Sequence, residues 1–318
     1  MQKTNFDFEV IISDDCSTDG TAEIIKEYMQ RYPEVIRGIF REKNTGAVKN
    51  FIETLALAKS EYVVINEGDD YFTDENKLQK QVDFLETHPN YTACFHPVKV
   101  LYENNDKKND TFPSKRMLGG RKVISFNDLI EKNYIQTNSI LYRWRFVQEN
   151  IKDFFPENIL PADHYLHLLH AQKGDIAMLS EVMSVYRKHC EGIWYDSQNN
   201  LEQLHLKHGL QEINFHYNVY KNMTESSDKY LNEKFLPVLR SIMDIFYKNK
   251  KYCELEKISS QYPQYYNLVF EQIGTYTSSS NKKLKKYKKL FLYTAVAAVI
   301  CFVLNIALGV TLYFLIHR

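Results

Sequence analysis

Neither Gly-x-Gly-x-x-Gly nor Gly-x-x-x-x-Gly-Lys-[Ser/Thr] occurs anywhere in the 318 residues. Both glycine loops seat phosphate on the backbone at a helix N-terminus, so their absence disfavours dinucleotide oxidoreductases and P-loop enzymes. Cysteine is sparse as well: Cys16, Cys94, Cys190, Cys253 and Cys301 are scattered, odd in number and never spaced as Cys-x-x-Cys. That pattern reads as the reduced, mostly structural thiols of a cytosolic body. The opening "MQKTNFDFEVIISDD" holds no apolar core followed by a small-residue cleavage site, so export by a signal peptide is not expected. Net charge is absent too, but unevenly so. Residues 282–318 carry seven Lys/Arg and no acid, which leaves 33 basic against 40 acidic residues in 1–281, a balance of −7. Such a body lacks the basic face that nucleic-acid binding requires, and no nucleic-acid partner is expected.

What is present begins with apolar content, 44% of the chain, enough for a sizeable globular core. From Leu290 to Ile316 the run "LFLYTAVAAVICFVLNIALGVTLYFLI" is uncharged for longer than the ~20 residues a spanning helix needs, which predicts one transmembrane helix over 290–316. The basic collar "KKLKKYKK" (282–289) precedes it, and the positive-inside rule places that collar, and the body before it, on the cytoplasmic side of a single-pass membrane protein. The lysines serve either as a topology signal alone or also as contacts to anionic lipid headgroups.

Along the body, β-rich runs at 8–12, 35–40 and 61–66 alternate with helical patterns at 21–31 and 46–59, the signature of an α/β fold with a parallel sheet and crossover helices. A helix at 74–88, a strand over 91–102, a polar loop at 103–119, a strand at 136–142, a helix at 163–173 and a strand at 176–186 complete a first domain, 1–196. Apolar residues then recur at intervals of three and four, predicting a helical region over 197–277. A polybasic linker, 278–289, leads to the membrane helix.

Ligands of parallel sheets bind beyond the carboxyl ends of the strands, where two acidic clusters fall. The first is "VIISDDCSTDGT". Its Asp15 to Gly20 half-matches a calcium loop, but Lys26 stands where a bidentate Glu is required, so a strand-to-helix turn is the better reading. Asp, Ser, Thr and Gly are ordinary cap residues, so this cluster is either structural or, through the pair Asp14–Asp15, functional. The second, "VINEGDDYF", puts Glu67, Asp69 and Asp70 within four residues. It is either a solvated turn or a site where a hard divalent cation, Mg²⁺ or Mn²⁺, relieves like-charge repulsion and bridges to a diphosphate.

Four segments, "FEVIISDDCSTDGT", "REKNTGAVKNFIETLALAKSEYVVINEGDDYF", "PADHYLHLLHAQKGD" and "EVMSVYRKHCEGIW", resemble in order and spacing the family 2 glycosyltransferases of GT-A fold, over Phe6 to Trp194. The resemblance implies a nucleotide-diphospho-sugar transferase of Rossmann-like, mostly parallel architecture. It would move a sugar from a UDP- or GDP-sugar to a saccharide or lipid-linked acceptor with inversion, aided by Mn²⁺ or Mg²⁺. By the same resemblance Asp15 meets the nucleobase with Asp14 beside it, and Arg41, Lys43, Asn44 and Gly46 line the nucleotide. Asp69 and Glu67 hold the metal, with His189 as a third ligand, Asp70 holds the donor sugar or a neighbouring loop, and Arg187 meets phosphate. Asp163 becomes the general base, which must take the acceptor hydroxyl's proton as that oxygen attacks the anomeric carbon. His164, His167 and His170 recur on one helix and are read as lining the acceptor cleft or facing solvent, and Trp194 as buried or stacked on a sugar.

Members of that family begin with a further strand and helix, so the strand at 8–12 is expected to lack a neighbour, as in an N-terminally truncated relative. The leading expectation is an anchored, metal-dependent transferase of surface polysaccharide or glycolipid synthesis. It adds one sugar per encounter, because the Gln-x-x-Arg-Trp signature of processive synthases is missing. The alternatives are a catalytically impaired binding or scaffold protein on a membrane anchor, and a metal-dependent phosphohydrolase.

Overall fold

The structure is a computed structural model and describes residues 2–103, 110–189, 192 and 200–276. The chain opens with β1 (Val10–Asp14), α1 (Thr21–Arg31), β2 (Ile36–Phe40), α2 (Ala47–Leu55) and β3 (Tyr62–Val64), the alternation expected from the sequence. Next come β4 (Tyr71–Phe72), α3 (Lys77–Thr87), β5 (Ala93–Phe95), β6 (Val98–Tyr102), β7 (Asp110–Phe112), α4 (Lys115–Leu118), β8 (Val123–Ile124) and α5 (Phe126–Glu131). A 3₁₀ turn (Thr137–Ser139) leads into β9 (Leu141–Arg143), then a second 3₁₀ turn (Ile151–Asp153), α6 (Ala162–Ala171), β10 (Ile176–Met178), β11 (Ser184–Lys188) and the long α7 (Leu201–Met223). The short α8 (Asp228–Tyr230) runs through a wide π turn into α9 (Leu236–Lys248), and α10 (Tyr252–Gln261) and α11 (Pro263–Tyr276) end the described chain.

The strands form three sheets: β1–β2, the five-stranded order β3-β9-β5-β10-β8, and the four-stranded order β4-β11-β6-β7. The sheets are mixed, which corrects the expected mostly parallel arrangement. Three pairings are parallel (β1–β2, β5–β10, β6–β11) and five are antiparallel. Helical crossovers link the parallel pairs, whereas β9 runs antiparallel between β3 and β5, and β6 folds back on β7. Among the described residues β1 bonds to β2 along one edge and to no strand along the other.

Two expected strands are each divided. The run 91–102 breaks at Pro97, which has no N–H to give to a ladder, so β5 joins the five-stranded sheet and β6 the four-stranded one. The run 176–186 divides the same way into β10 and β11. The core that holds the five-stranded sheet is built on α3, whose Leu78 and Leu85 meet Cys94 of β5, Leu141 of β9 and Ala177 of β10. Each leucine buried there contributes on the order of 1.5–3 kcal/mol. Gly38 of β2 is required by close packing, since a Cβ there would lie 2.6 Å from Met29 Sδ and 3.1 Å from Ile25 Cγ2 of α1. The start of α5 is fixed by a capping box, in which Ser125 and Asp128 satisfy each other's backbone N–H groups.

Two compact units divide the chain, Met1–Val238 and a second that starts at Leu239. The described strands and α1–α7 all fall in the first. The polybasic run 282–289, the apolar run 290–316, Cys190, Cys301 and Trp194 lie outside the described residues. Among the described residues no helix is long and apolar enough to cross a membrane.

Candidate active site

The sequence-predicted residues gather into two groups, each knit within itself. The first forms at the ends of β1 and β2. Asp15 accepts three bonds there, from Thr45 N (2.8 Å) and Thr45 Oγ1 (2.8 Å) on Oδ1 and from Gly46 N (2.8 Å) on Oδ2. Burial pulls its carboxyl upward, but those bonds and the Arg41 charge outweigh it and hold Asp15 below the usual carboxylate range. Gly46 makes the bond possible: its φ of 89° is a backbone state that a side chain would strain. Asp14 is buried, with Oδ2 accepting from Ser17 N at 3.2 Å and Oδ1 without a partner among the described residues. Arg41 turns toward α2, bonding Asn50 Oδ1 (3.1 Å) and pairing with Glu53 (2.7 Å). Lys43 and Asn44 lie exposed beside this loop, and Asn44 Oδ1 accepts from Gly46 N.

The second group is assembled from four elements. The loop between β3 and β4 carries Glu67, Asp69 and Asp70, each of which offers one carboxylate oxygen within 4.8 Å of the others'. The end of β11 supplies Arg187 and His189 sits just past it; His189 Nε2 meets Asp69 Oδ2 at 2.9 Å. Arg187 donates its backbone N–H to Asp70 Oδ1 (2.9 Å) and its NH1 to the Asp69 carbonyl (3.0 Å), while its guanidinium also pairs with Glu103. Asp163, in the first turn of α6, accepts from Thr137 Oγ1 at 3.1 Å. The fourth element is the 3₁₀ turn, whose Asn138 Nδ2 donates to Asp70 Oδ2 at 2.9 Å.

The electrostatics of this group are those of uncompensated like charge. Crowding by protein, then the charges of Asp163, Asp70 and Asp69, pushes the Glu67 carboxyl up to about 8, although its side chain still opens to solvent that screens part of the repulsion. For Asp70 burial comes first, opposed by the Arg187 N–H; the Asp69 charge adds to the rise, and the carboxyl is pushed up to about 7. A hard divalent cation fits this set of oxygen donors, with the imidazole of His189 as a borderline nitrogen donor beside it.

Sequence reasoning missed several members. Thr137 and Asn138 lay in a segment read as strand, yet "QTNS" at 136–139 is a run of four short polar or amide side chains, a turn signal in itself. Tyr186 was also passed over; burial and then the charges of Glu67, Asp70, Asp69 and Asp163 hold its phenol above the usual range, which places it among all four acids. The α6 histidines correct the reading of them as solvent-facing or lining an acceptor cleft. His164, His167 and His170 are all buried, His167 bonds Tyr142 OH at 2.7 Å, and His170 lies among the rings of Tyr142, Trp144 and Phe146. The helix is apolar on nearly every side, so histidine here fills core volume in its neutral form. His164 alone of the three lines a cavity of about 240 Å³, which Leu129, Pro161, Leu204 and Phe215 also line.

Residues 1–154 match the family Glycosyl transferase family 2. This part of the chain is similar to that family over 154 residues, a little under half of its length. The match takes in both acidic clusters and the 3₁₀ turn and ends before Asp163. A 196-residue stretch, 62% of this chain, is 48% identical to an uncharacterized protein of Mycobacterium tuberculosis and covers 54% of that protein. The chain thus spans about half the length of this relative. TuaG of Bacillus subtilis, provisionally named a teichuronic acid biosynthesis glycosyltransferase, is 38% identical over 78 residues, 24% of this chain and 30% of TuaG. Among solved structures, the mannosyltransferase PcManGT of Pyrobaculum calidifontis, in complex with GDP-Man and Mn²⁺, aligns over 83% of this chain and 74% of its own at a TM-score of 0.47 and 14% identity.

Proposed function

We propose that the chain is a divalent-cation-dependent, inverting glycosyltransferase that moves a sugar from a nucleoside-diphosphate donor to a saccharide or lipid-linked acceptor in surface polysaccharide or glycolipid synthesis. The observation that carries this reading is the convergence of three carboxylates within 4.8 Å in the stretch similar to Glycosyl transferase family 2, with a fourth acid, Asp163, close enough for its charge to act on Glu67. Glu67, Asp69 and His189 would hold Mn²⁺ or Mg²⁺, which when bound offsets the charge of the departing diphosphate. Asp70 closes the cluster from its buried side.

The chain's own residues do the rest. Asp163 accepts the proton of the acceptor hydroxyl at a carboxylate oxygen, and Thr137 keeps that carboxylate aimed by its bond to Oδ2. The acceptor oxygen bonds to the anomeric carbon from the face opposite the diphosphate, the anomeric carbon–oxygen bond breaks, and its electron pair leaves with the diphosphate. Attack from that face inverts the anomeric centre. Asp15 shapes the loop at 43–46 that would lie along the nucleotide. The membrane anchor belongs to the same reading and is supported by sequence alone, through the apolar run 290–316 and its basic collar. An anchor raises the effective concentration of a membrane-borne acceptor.

Isothermal titration with UDP and GDP, each with and without Mn²⁺, tests the reading. Binding of either nucleotide that requires Mn²⁺ and is lost in Asp69→Ala is the expected result. Absence of any metal-dependent nucleotide binding would favour a scaffold role instead.

A further inference from the structure

The acids of the second group sit on elements far apart in sequence, Asp70 after β3 and Asp163 on α6, and the turn Gln136–Ser139 bonds to both. Its residues are almost wholly removed from water: Thr137 is 2% exposed, Asn138 and Ser139 0%. Burying amide and hydroxyl groups is unfavourable unless every one of them is bonded, and here they are. Asn138 gives one Nδ2 hydrogen to Asp70 Oδ2 (2.9 Å) and the other to the Val185 carbonyl (2.8 Å), while its Oδ1 accepts from Ser184 Oγ (2.9 Å). The Val185 carbonyl can only accept, so the amide is locked with its nitrogen toward Asp70. The turn is pinned from below as well. Gln81 of α3 donates to the Ser139 carbonyl (2.9 Å) and the Cys94 carbonyl (3.1 Å), and Lys77 holds Gln81 Oε1 at 2.7 Å.

We propose that Asn138 is a positioning residue, whose clamped amide orients the Asp70 carboxylate toward a cation by a neutral donor that adds no positive charge to the acidic cluster. The inference rests on the transferase reading above. Its physical core is the choice of donor. A lysine or arginine in the same place would hold Asp70 as firmly but cancel one charge of the cluster, whereas an amide supplies direction without neutralisation. The backbone N–H of Arg187 on Asp70 Oδ1 acts in the same way from the opposite side. Both oxygens are therefore aimed by neutral dipoles.

The test uses the full chain and Mn²⁺ alone, followed by the electron paramagnetic resonance signal of the free ion. The parent is expected to bind Mn²⁺ and Asp69→Ala to lose it. Asn138→Leu is expected to weaken Mn²⁺ about 10- to 100-fold, the usual effect of removing a hydrogen-bond partner that supports a metal site. Ser139→Ala is the control for a merely structural role, because Ser139 Oγ bonds only within the turn, to the Gln136 carbonyl. Melting temperatures without metal place the variants on one stability scale. Loss of Mn²⁺ affinity in Asn138→Leu beyond that of an equally destabilised Ser139→Ala supports the proposal, and affinity that merely follows stability, or equals the parent's, overturns it. Should Asn138→Leu not fold, Ser184→Ala, which frees the other end of the amide, carries the same comparison with an expected loss of about threefold or more. If the parent itself binds Mn²⁺ no better than Asp69→Ala, the cation site falls and this inference with it, whereas a strong parent site with an unaffected Asn138→Leu removes this inference alone.

Discussion

Replacing Asp70 by asparagine should stabilise the metal-free protein at alkaline pH. Burial and the neighbouring Asp69 charge raise the Asp70 carboxyl from 3.8 to about 7, against the pull of the Arg187 N–H. A shift of that size corresponds to roughly 4 kcal/mol of folding free energy lost when the group ionises, at about 1.4 kcal/mol per pH unit. With only 6% of the residue exposed, solvent screens little of it. The substitution also costs something, because an asparagine amide has one oxygen to serve two donors, Arg187 N and Asn138 Nδ2. Losing one such bond costs about 1.5–3 kcal/mol. The net expectation is a variant about 1–3 kcal/mol more stable than the parent above about pH 8. The sign follows from linkage: the folded carboxyl holds its proton more tightly than the unfolded one, so the parent is unpenalised below about pH 4 and loses stability as pH rises toward 7. The variant does not titrate there, so its advantage opens over that window and reverses at the acid end. Urea unfolding in EDTA at several pH values, followed by circular dichroism, measures the difference. A variant no more stable than the parent near pH 8, or a gap that does not shrink with acid, would refute the claim that these charges are uncompensated. Adding Mn²⁺ at about one hundred times its dissociation constant should restore about 2.7 kcal/mol to the parent, and less to the variant.

Three further outcomes are expected. Gly38→Ala should destabilise the fold by about 1–3 kcal/mol, because the new Cβ would press on Met29 and Ile25; an unchanged urea midpoint would mean that α1 moves away freely. Asp163→Asn should keep Mn²⁺-dependent UDP or GDP binding and lower transfer by about 10²–10⁴-fold, and equal turnover by variant and parent would remove Asp163 as base. Thr137→Val should lower the turnover number with little change in donor KM while Thr137→Ser, which keeps the hydroxyl on Asp163, stays near the parent; equal losses in both would assign Thr137 to packing alone.

The first five elements were legible because their apolar periods switch cleanly between strand and helix, and α1 occurs over the residues its pattern marked, 21–31. The three carboxylates of "EGDD" were legible as a candidate site because crowded like charge has few structural uses. Legibility failed where strands are two or three residues long. In such pieces, periodicity cannot separate one strand from two, so Pro97 and the gap at 179–183 went unread as sheet changes, and β8 and the capped α5 were missed. The turn at 137–139 failed for a different reason. Its Thr and Ser side chains suit a strand, and only tertiary bonds to Asp70 and Asp163 reveal why four polar residues stand together in a buried segment.

The carboxylates of the chain divide by the direction in which the fold moves them, and that division bears on which of them act. Asp15, Asp74, Asp128 and Glu131 are all held below their ordinary values, each by donors that the fold supplies: Thr45 and Gly46, Lys80, Ser125 and Arg121, and Lys234. These acids are matched within the protein and stabilise loops or helix starts. Glu67 and Asp70 are held above theirs by burial first and then by neighbouring acidic charge, which no cation among the described residues offsets in full. A fold that leaves such charge unmatched gives up stability that a bound cation would return, and selection has no structural reason to keep that arrangement. By this measure the charge of Asp15 is matched within the first group, and the unmatched charge lies in the second.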